Sequence, residues 1–419
     1  CGSLLRKAGE LRASKDLLTT VVEKESPWRG FCMSALAETL WDLGEISKAR
    51  TLEEEAIGLV LDTDGLRQFA LWWKSKLGAH LLRAGLLQDA FHYLEECVQE
   101  LEASACGGCH PLLPAVMGDL AVAKWEAGLM KDARILHQKV ISILAKSNRS
   151  KALLVEQNRL GTMLRDAQLF CDSETVLRAA LEKATRVFTP DDHFFSRLEH
   201  NLAATLWECG GLREASCLHK KNLSDIKISR GSGDIEYLRL LGSFCTSLRK
   251  SKSFEHAKEC SRDERRGMTE NYGRKHPWTV ISTLNHVAAM EDGELCDGIT
   301  MSEELASYLE GVCDSDFLPR LVLENNRGAH LRDVGRWEES ETVLCKCLEK
   351  LERSFGRSHP LTVRCRVNLS ETLREAGSME EAVELEKRAM KDLKDVCDPD
   401  YFLLLALENN LGAHRNETV

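Results

Sequence analysis

Along most of this chain, apolar residues recur every three or four positions, the spacing that gathers them on one face of an α-helix. In the stretch after Pro360, Val363, Val367, Leu369, Leu373 and Ala376 form one such stripe, and Ala382, Leu385 and Ala389 form a second. Two amphipathic helices are predicted there, divided at Gly377, which can adopt the left-handed backbone that stops a helix at little cost. Gly44, Gly85, Gly128, Gly210 and Gly335 hold the same place elsewhere. Segments such as His359-Pro360 and Asp398-Pro399-Asp400 supply the break and the next helix start. Nowhere do apolar and polar residues alternate over a strand length, so the expected fold is all-α.

The pattern repeats. LAETLWDLG from Leu36, LAVAKWEAG from Leu120, LAATLWECG from Leu202 and LSETLREAG from Leu369 are variants of one phrase. Roughly midway between them stand LGAHLLRAG from Leu77, LGTMLRDAQ from Leu160, RGAHLRDVG from Arg327 and a shortened LGAHRNE from Leu411. The unit is therefore about 42 residues of helix, tight turn, helix and loop, and fixed-period self-similarity of this kind marks a solenoid. Neighbouring units differ more than alternate ones, so the full period is a pair of units: Pro27, Pro111, Pro277 and Pro360 are spaced by 84, 166 and 83 residues. One continuous solenoid over residues 27–396 in nine units is expected, with partial units at 1–26 and 397–419. Residues 231–312 depart most, lacking a turn glycine near Arg249 and inserting GELCDG around Gly293.

Small residues recur where backbones would have to approach closely: Ala37, Gly78, Ala121, Gly161, Ala203, Gly242, Gly328, Ser370 and Gly412 in first helices, Ala49, Ala90, Ala133, Ala215 and Ala382 in second helices. Leu36-Ala37, Leu43-Gly44, Ala49 and Ala56 match the large and small pattern of tetratricopeptide repeats. The unit length, the phrase GRSHPLTVRCRVNLSETLREAGSMEEAVELEKRAM from Gly356, GRKHPWTVISTLNH from Gly273, and the doubled Asn325-Asn326 and Asn409-Asn410 resemble the long repeats of kinesin light chain and nephrocystin-3. That resemblance implies a right-handed superhelix of helix pairs whose first helices line a concave groove.

Composition narrows the function. With 419 residues, 43% hydrophobic and 29% charged, the chain can bury a large core. Net charge is -10, and Lys and Arg are scattered among Asp and Glu, which argues against a nucleic-acid surface. Its longest apolar runs fall far short of the roughly 20 residues that span a bilayer. Sixteen cysteines spread over a long helical chain read as reduced thiols of a cytoplasmic protein. The sequons at Asn148, Asn222, Asn368 and Asn416 then carry little weight.

Candidate chemistry is sparse. Cys106-Gly107-Gly108-Cys109-His110 fits half of a zinc site or a c-type haem attachment, but His110-Pro111 occupies the place of His276-Pro277 and His359-Pro360, so the repeat itself accounts for the histidine. His80, His330 and His414 share one helical slot, as structural residues do. Cys345 and Cys347 are two apart on a helix and point to different faces. No phosphate loop, nucleophile elbow or metalloprotease motif is found. The expectation is no enzyme activity, no cofactor, no metal and no small-molecule substrate.

One polar series stands out. Two residues before the small position of the first helix are Asp119, Asn201, Asn326, Asn368 and Asn410, with Lys76 and Arg159 in the same slot and Asn285 near it. Asparagine is a poor interior helix residue, so its recurrence needs a reason. In the repeats this chain resembles, matching asparagines bind the backbone of an extended peptide; alternatively, the amides bridge neighbouring repeats. The expected function is a scaffold binding a protein or peptide segment in the groove, or else a regulatory or sensor array controlling an effector.

Overall fold

The computed structural model of the chain describes residues 2–7, 9–24, 26, 28–62, 69–103, 110–147, 149–188, 192–250, 253–274, 276–290, 295–310, 313–315, 317–397, 404 and 407–408. Among these, twenty helices and no strand are found. In chain order they are α1 (Gly2–Lys7), α2 (Leu11–Val22), α3 (Arg29–Leu43), α4 (Ile46–Asp62), α5 (Ala70–Arg83), α6 (Leu87–Ala103), α7 (Leu113–Glu126), α8 (Met130–Lys146), α9 (Ser150–Asp166) and α10 (Phe170–Ala184). They continue as α11 (His193–Glu208), α12 (Leu212–Arg230), α13 (Ile235–Lys250), α14 (Phe254–Tyr272), α15 (Pro277–Val287), α16 (Leu295–Glu310), α17 (Leu318–Asp333), α18 (Trp337–Phe355), α19 (Pro360–Glu375) and α20 (Met379–Lys394). Odd-numbered helices are the first, and even-numbered the second, of each pair. The expected all-α fold of helix pairs is the fold observed.

Turns within pairs form as the glycines require. Gly44, Gly85, Gly128, Gly210, Gly335 and Gly377 have φ between 79 and 88°. Gln168 takes that place between α9 and α10 with φ 62°, an arrangement that costs a side-chain-bearing residue free energy. Between pairs, the His-Pro segments do more than interrupt the chain. Leu112 N donates to His110 Nδ1 at 3.2 Å, Trp278 N to His276 Nδ1 at 3.1 Å and Leu361 N to His359 Nδ1 at 3.2 Å. At His276 and His359 the ring nitrogen thus caps the next first helix, satisfying an N–H that has no partner within it, whereas at His110 the same bond falls one residue ahead of α7. Where Pro is missing, Asp192 Oδ1 accepts from Phe194 N at 2.9 Å and does the same work.

Packing within a pair turns on one close approach. Gly78, Gly161 and Gly328 each face the leucine 16 residues later, Leu94, Leu177 and Leu344, all buried on the second helix. A Cβ at these glycines would come within 2.5–2.7 Å of the leucine branch. In the intervening pairs the small residue carries a side chain, Ala37, Ala121, Ala203 or Ser370, and the residue 16 later is Glu53, His137, His219 or Glu386, each buried. Ala49, Ala90, Ala133, Ala215, Ala257 and Ala382 are fully buried on the second helices. Ser173 and Ser340 occupy the same phase. Ser173 Oγ donates to Gly161 O at 2.7 Å and lies 2.9 Å from Thr205 Oγ1; Ser340 Oγ donates to Gly328 O at 2.7 Å and lies 2.9 Å from Thr372 Oγ1. Each serine ties its own first helix to the first helix of the next pair.

Contacts gather the chain into two bodies: Cys1–Ala127 with Ser302–Ala329 and Trp337–Leu385, and Gly128–Met301 with His330–Arg336 and Glu386–Val419. In the first, α2 packs on α1 and α3, α4 on α3 and α5, and α6 on α5 and α7. In the second, α10 packs on α9 and α11, α12 on α11 and α13, and α14 on α13 and α15. Each of these second helices packs on the first helix of the next pair as well as on its own, which is how a repeat array is stabilised.

The glycine contact gives a prediction of sign. Gly58 in α4 has nothing within 4 Å of where a Cβ would stand, so Gly58→Ala should stabilise by about 0.5–1 kcal/mol through helix propensity. Gly161→Ala gains the same propensity but drives a methyl into Leu177, and overpacking of this kind costs about 1–3 kcal/mol. Urea denaturation should therefore move in opposite directions for the two variants. Stabilisation by both would mean that Leu177 yields freely and that the close approach constrains nothing.

Candidate partner-binding face

Seven of the eight polar positions singled out in the sequence lie on first helices: Lys76 on α5, Asp119 on α7, Arg159 on α9, Asn201 on α11, Asn285 on α15, Asn326 on α17 and Asn368 on α19. All seven are half-buried. Asn410 lies outside the described residues, as do Cys106 to Cys109 of the Cys-Gly-Gly-Cys stretch.

Several of these side chains reach across to a neighbouring pair. Asn201 Nδ2 donates to Asn158 Oδ1 at 2.8 Å and Asn368 Nδ2 donates to Asn325 Oδ1 at 3.0 Å, each spanning 43 residues. Asn285 Nδ2 points at the Glu264 carboxylate, 3.3 and 3.4 Å from its two oxygens. Lys76 Nζ binds the Glu38 carboxylate, which also receives Arg6 at 2.7 Å, and lies 4.8 Å over the Trp72 ring. Those contacts hold the Glu38 carboxyl below its ordinary range, although burial pushes the other way. Arg159 Nη1 donates to Glu156 within its own helix at 3.0 Å. Asn326 makes no side-chain hydrogen bond among the described residues.

Within the second body, the first helices α9, α11 and α13 lie side by side and enclose a groove of about 400 Å³. Asn201 and His200 of α11 line it together with Arg165 of α9, Arg197 of α11 and Arg239 of α13. Arg197 and Arg239 are exposed and 42 residues apart, so the same slot in consecutive pairs presents a guanidinium to one channel. Arg197 is only loosely held, 3.8 Å from Glu236, and Arg239 lies 4.8 Å over the Trp278 ring. His200 is buried, its Nδ1 has no hydrogen-bond partner among the described residues, and burial beside His219 keeps its pKa well below the ordinary value. A neutral imidazole, an amide and guanidinium groups make a polar wall that can donate to carbonyls and carboxylates.

Sequence reasoning missed Asn158 and Asn325, which receive the amides of the ladder, and the Arg197 and Arg239 pair. The signal was present in the repeat spacing of 42 and 43 residues. Charged residues were weighed for clustering along the chain and not for recurrence by slot.

Helix pairs of about 42 residues, glycine-capped turns and a polar first-helix face are features this chain shares with tetratricopeptide repeats. The tetratricopeptide repeat family model matches residues 320–395, within α17 to α20. No curated protein is matched. Among solved structures, a Rap protein complexed with competence and sporulation factor is similar with a TM-score of 0.50 at 13% identity, over 91% of this chain and 97% of that one. A kinesin light chain-type protein of Podosopora anserina with nearly identical TPR-like repeats gives 0.41 at 17% identity, over 48% and 96%. A STAND protein of Pyrococcus horikoshii with a tetratricopeptide repeat sensor gives 0.45 at 12%, over 83% and 55%. These likenesses are of fold, and among the described residues no helix is long and apolar enough to cross a membrane.

Glu264 provides a test of the polar packing behind Asn285. Burial raises its carboxyl from 4.5 to about 7, with the Asn285 amide opposing the rise. Between those values the folded chain holds a proton that the unfolded chain has released, so stability should fall as pH rises from 4.5 to about 7 and level off above. Glu264→Gln, which cannot ionise, should match the native chain near pH 4 and exceed it by roughly 3 kcal/mol at pH 8. A constant difference across that pH range in chemical denaturation would show that Glu264 stays ionised when folded.

Proposed function

We propose that the chain binds an extended or helical segment of another protein along its first helices and carries out no chemistry of its own. The observation that carries this reading is the groove over α9, α11 and α13, where Asn201, His200, Arg197 and Arg239 converge on one channel of about 400 Å³. Lys76, Asp119, Arg159, Asn285, Asn326, Asn368 and Asn410 extend the polar first-helix series, and each is proposed as a partner contact. Asparagine suits the task because its amide offers two donors and an acceptor, as a peptide backbone needs. The guanidinium groups favour segments rich in backbone carbonyls or carboxylates. No metal, cofactor, nucleic acid, membrane or small-molecule substrate enters the reading, and we place the protein in the cytoplasm, where its thiols stay reduced.

Unstructured peptides selected from a random display library against the native chain test the reading. An Asn201→Ala, Arg197→Ala, Arg239→Ala variant should bind the selected peptides more weakly, by roughly 0.5–1.5 kcal/mol for each hydrogen bond lost. Exposed arginines contribute little to stability, so Arg197→Ala, Arg239→Ala alone should melt near the native temperature, while adding Asn201→Ala should cost about 0.5–1.5 kcal/mol through the lost bridge to Asn158. Peptides that bind the variant as tightly as the native chain would place recognition elsewhere.

A further inference from the structure

In a stack of helix pairs each pair ordinarily touches only its neighbours. The first body breaks that rule at two turns. A Cβ at Gly44 would come within 2.8 Å of Phe317 Cδ2, and one at Gly85 within 3.2 Å of Phe355 Cε1, whereas Gly335 and Gly377, with the same backbone conformation, face open space. Around Gly44 the contact is specific. Asp314 N donates to Gly44 O at 3.2 Å, Cys313 Sγ donates to Leu43 O at 3.4 Å, and Ser47 N donates to Asp314 Oδ2 at 2.8 Å. Ser47 lies in the first turn of α4, whose N–H groups have no helical acceptor, so Asp314 caps that helix from 267 residues away. At the next turn, Leu86 packs against the core cluster of Leu321, Phe355 and Leu361.

We propose that Cys313, Asp314 and Phe317 form a latch on the α3–α4 turn, closing the first body on itself, and that its release is that body's first opening step. The latch is small, consisting of three hydrogen bonds and one ring over a glycine, while α3 and α4 are held by buried Leu36, Leu40 and Ala49. A contact of few bonds at the surface opens before a packed core does. The inference goes beyond the groove reading and concerns the other body.

Cys313 itself reports the state of the latch. Its thiol is bonded to a carbonyl and burial pushes its pKa up to about 11, so it should react slowly with N-ethylmaleimide while the latch is shut. Modification of the full chain is followed by mass spectrometry of the peptides carrying each cysteine. Asp314→Ala and Phe317→Ala should each speed Cys313 modification about fivefold, the population change that one lost hydrogen bond typically brings. Phe317→Leu should restore much of the protection. Gly44→Ala should speed it more than Gly377→Ala, since both incur the cost of positive φ but only the first collides with Phe317. Cys347 and Cys365, fully buried in the core of the same body, should stay protected in all variants. An unchanged Cys313 rate in Asp314→Ala and Phe317→Ala would overturn the proposal. So would Cys347 and Cys365 accelerating in step with Cys313, because the body would then be opening as a whole.

Discussion

The distance between a first helix and the residue 16 positions later on its second helix is the constraint from which the rest of this structure follows. With no side chain at Gly78, Gly161 or Gly328, a leucine can press against the helix backbone. Where that position is Ala37, Ala121 or Ala203, the residue 16 later is polar instead: Glu53, His137 or His219. Outside residues 231–312, where Cys245 and Ser261 depart from both, two ways of filling one contact alternate along the chain. They account for a sequence period of two units laid over a structural period of one.

The polar solution brings an obligation, because a buried polar group without a partner is costly. Glu53 meets it best, accepting from Trp41 Nε1 at 3.0 Å within its own pair and lying 2.7 Å from His80 Nδ1 of the next. His137 stands 3.4 Å from the Glu156 carboxylate, too far for a good hydrogen bond, and neither ring nitrogen is hydrogen-bonded among the described residues. His219 is paired with no carboxylate among the described residues. It packs against Phe244 and His200 with ring centroids 4.6 and 5.0 Å away, and burial lowers its pKa to about 4, so it stays neutral. The series runs from a saturated network at Glu53 to an aromatic one at His219, which packs on His200 of the groove wall.

How much of this was legible depends on whether a feature repeats. Helices, glycine turns and the unit length were readable because each recurs, and the His-Pro breaks were found without the capping role of the ring nitrogen. Gly242 was read as the small residue of its unit, yet the residue 42 after Ala203 is Cys245, which is buried, while Gly242 makes room for the Glu264 carboxylate. A small residue was mistaken for the small position. Ser173 and Ser340 escaped the series of alanines because a hydroxyl reads as polar, although its proton is spent on a glycine carbonyl. The contact of Asp314 with Ser47 occurs once and joins segments 267 residues apart, so no periodicity could signal it.

The asparagines show why the bridging and binding readings were hard to separate in sequence: they are not exclusive. An amide has two N–H donors and a carbonyl oxygen. Asn201 spends one N–H on Asn158 and remains half-buried at the edge of a groove, with its oxygen and second N–H uncommitted among the described residues. The bridge fixes the rotamer, so a ligand reaching that oxygen meets an acceptor whose ordering entropy has already been lost on folding. Held rigid by the neighbouring repeat, such a residue can contribute to the stack and to recognition at once. The spacing between repeats then sets the spacing between binding groups, and anything that alters the packing of α9 on α11 alters the ligand site with it.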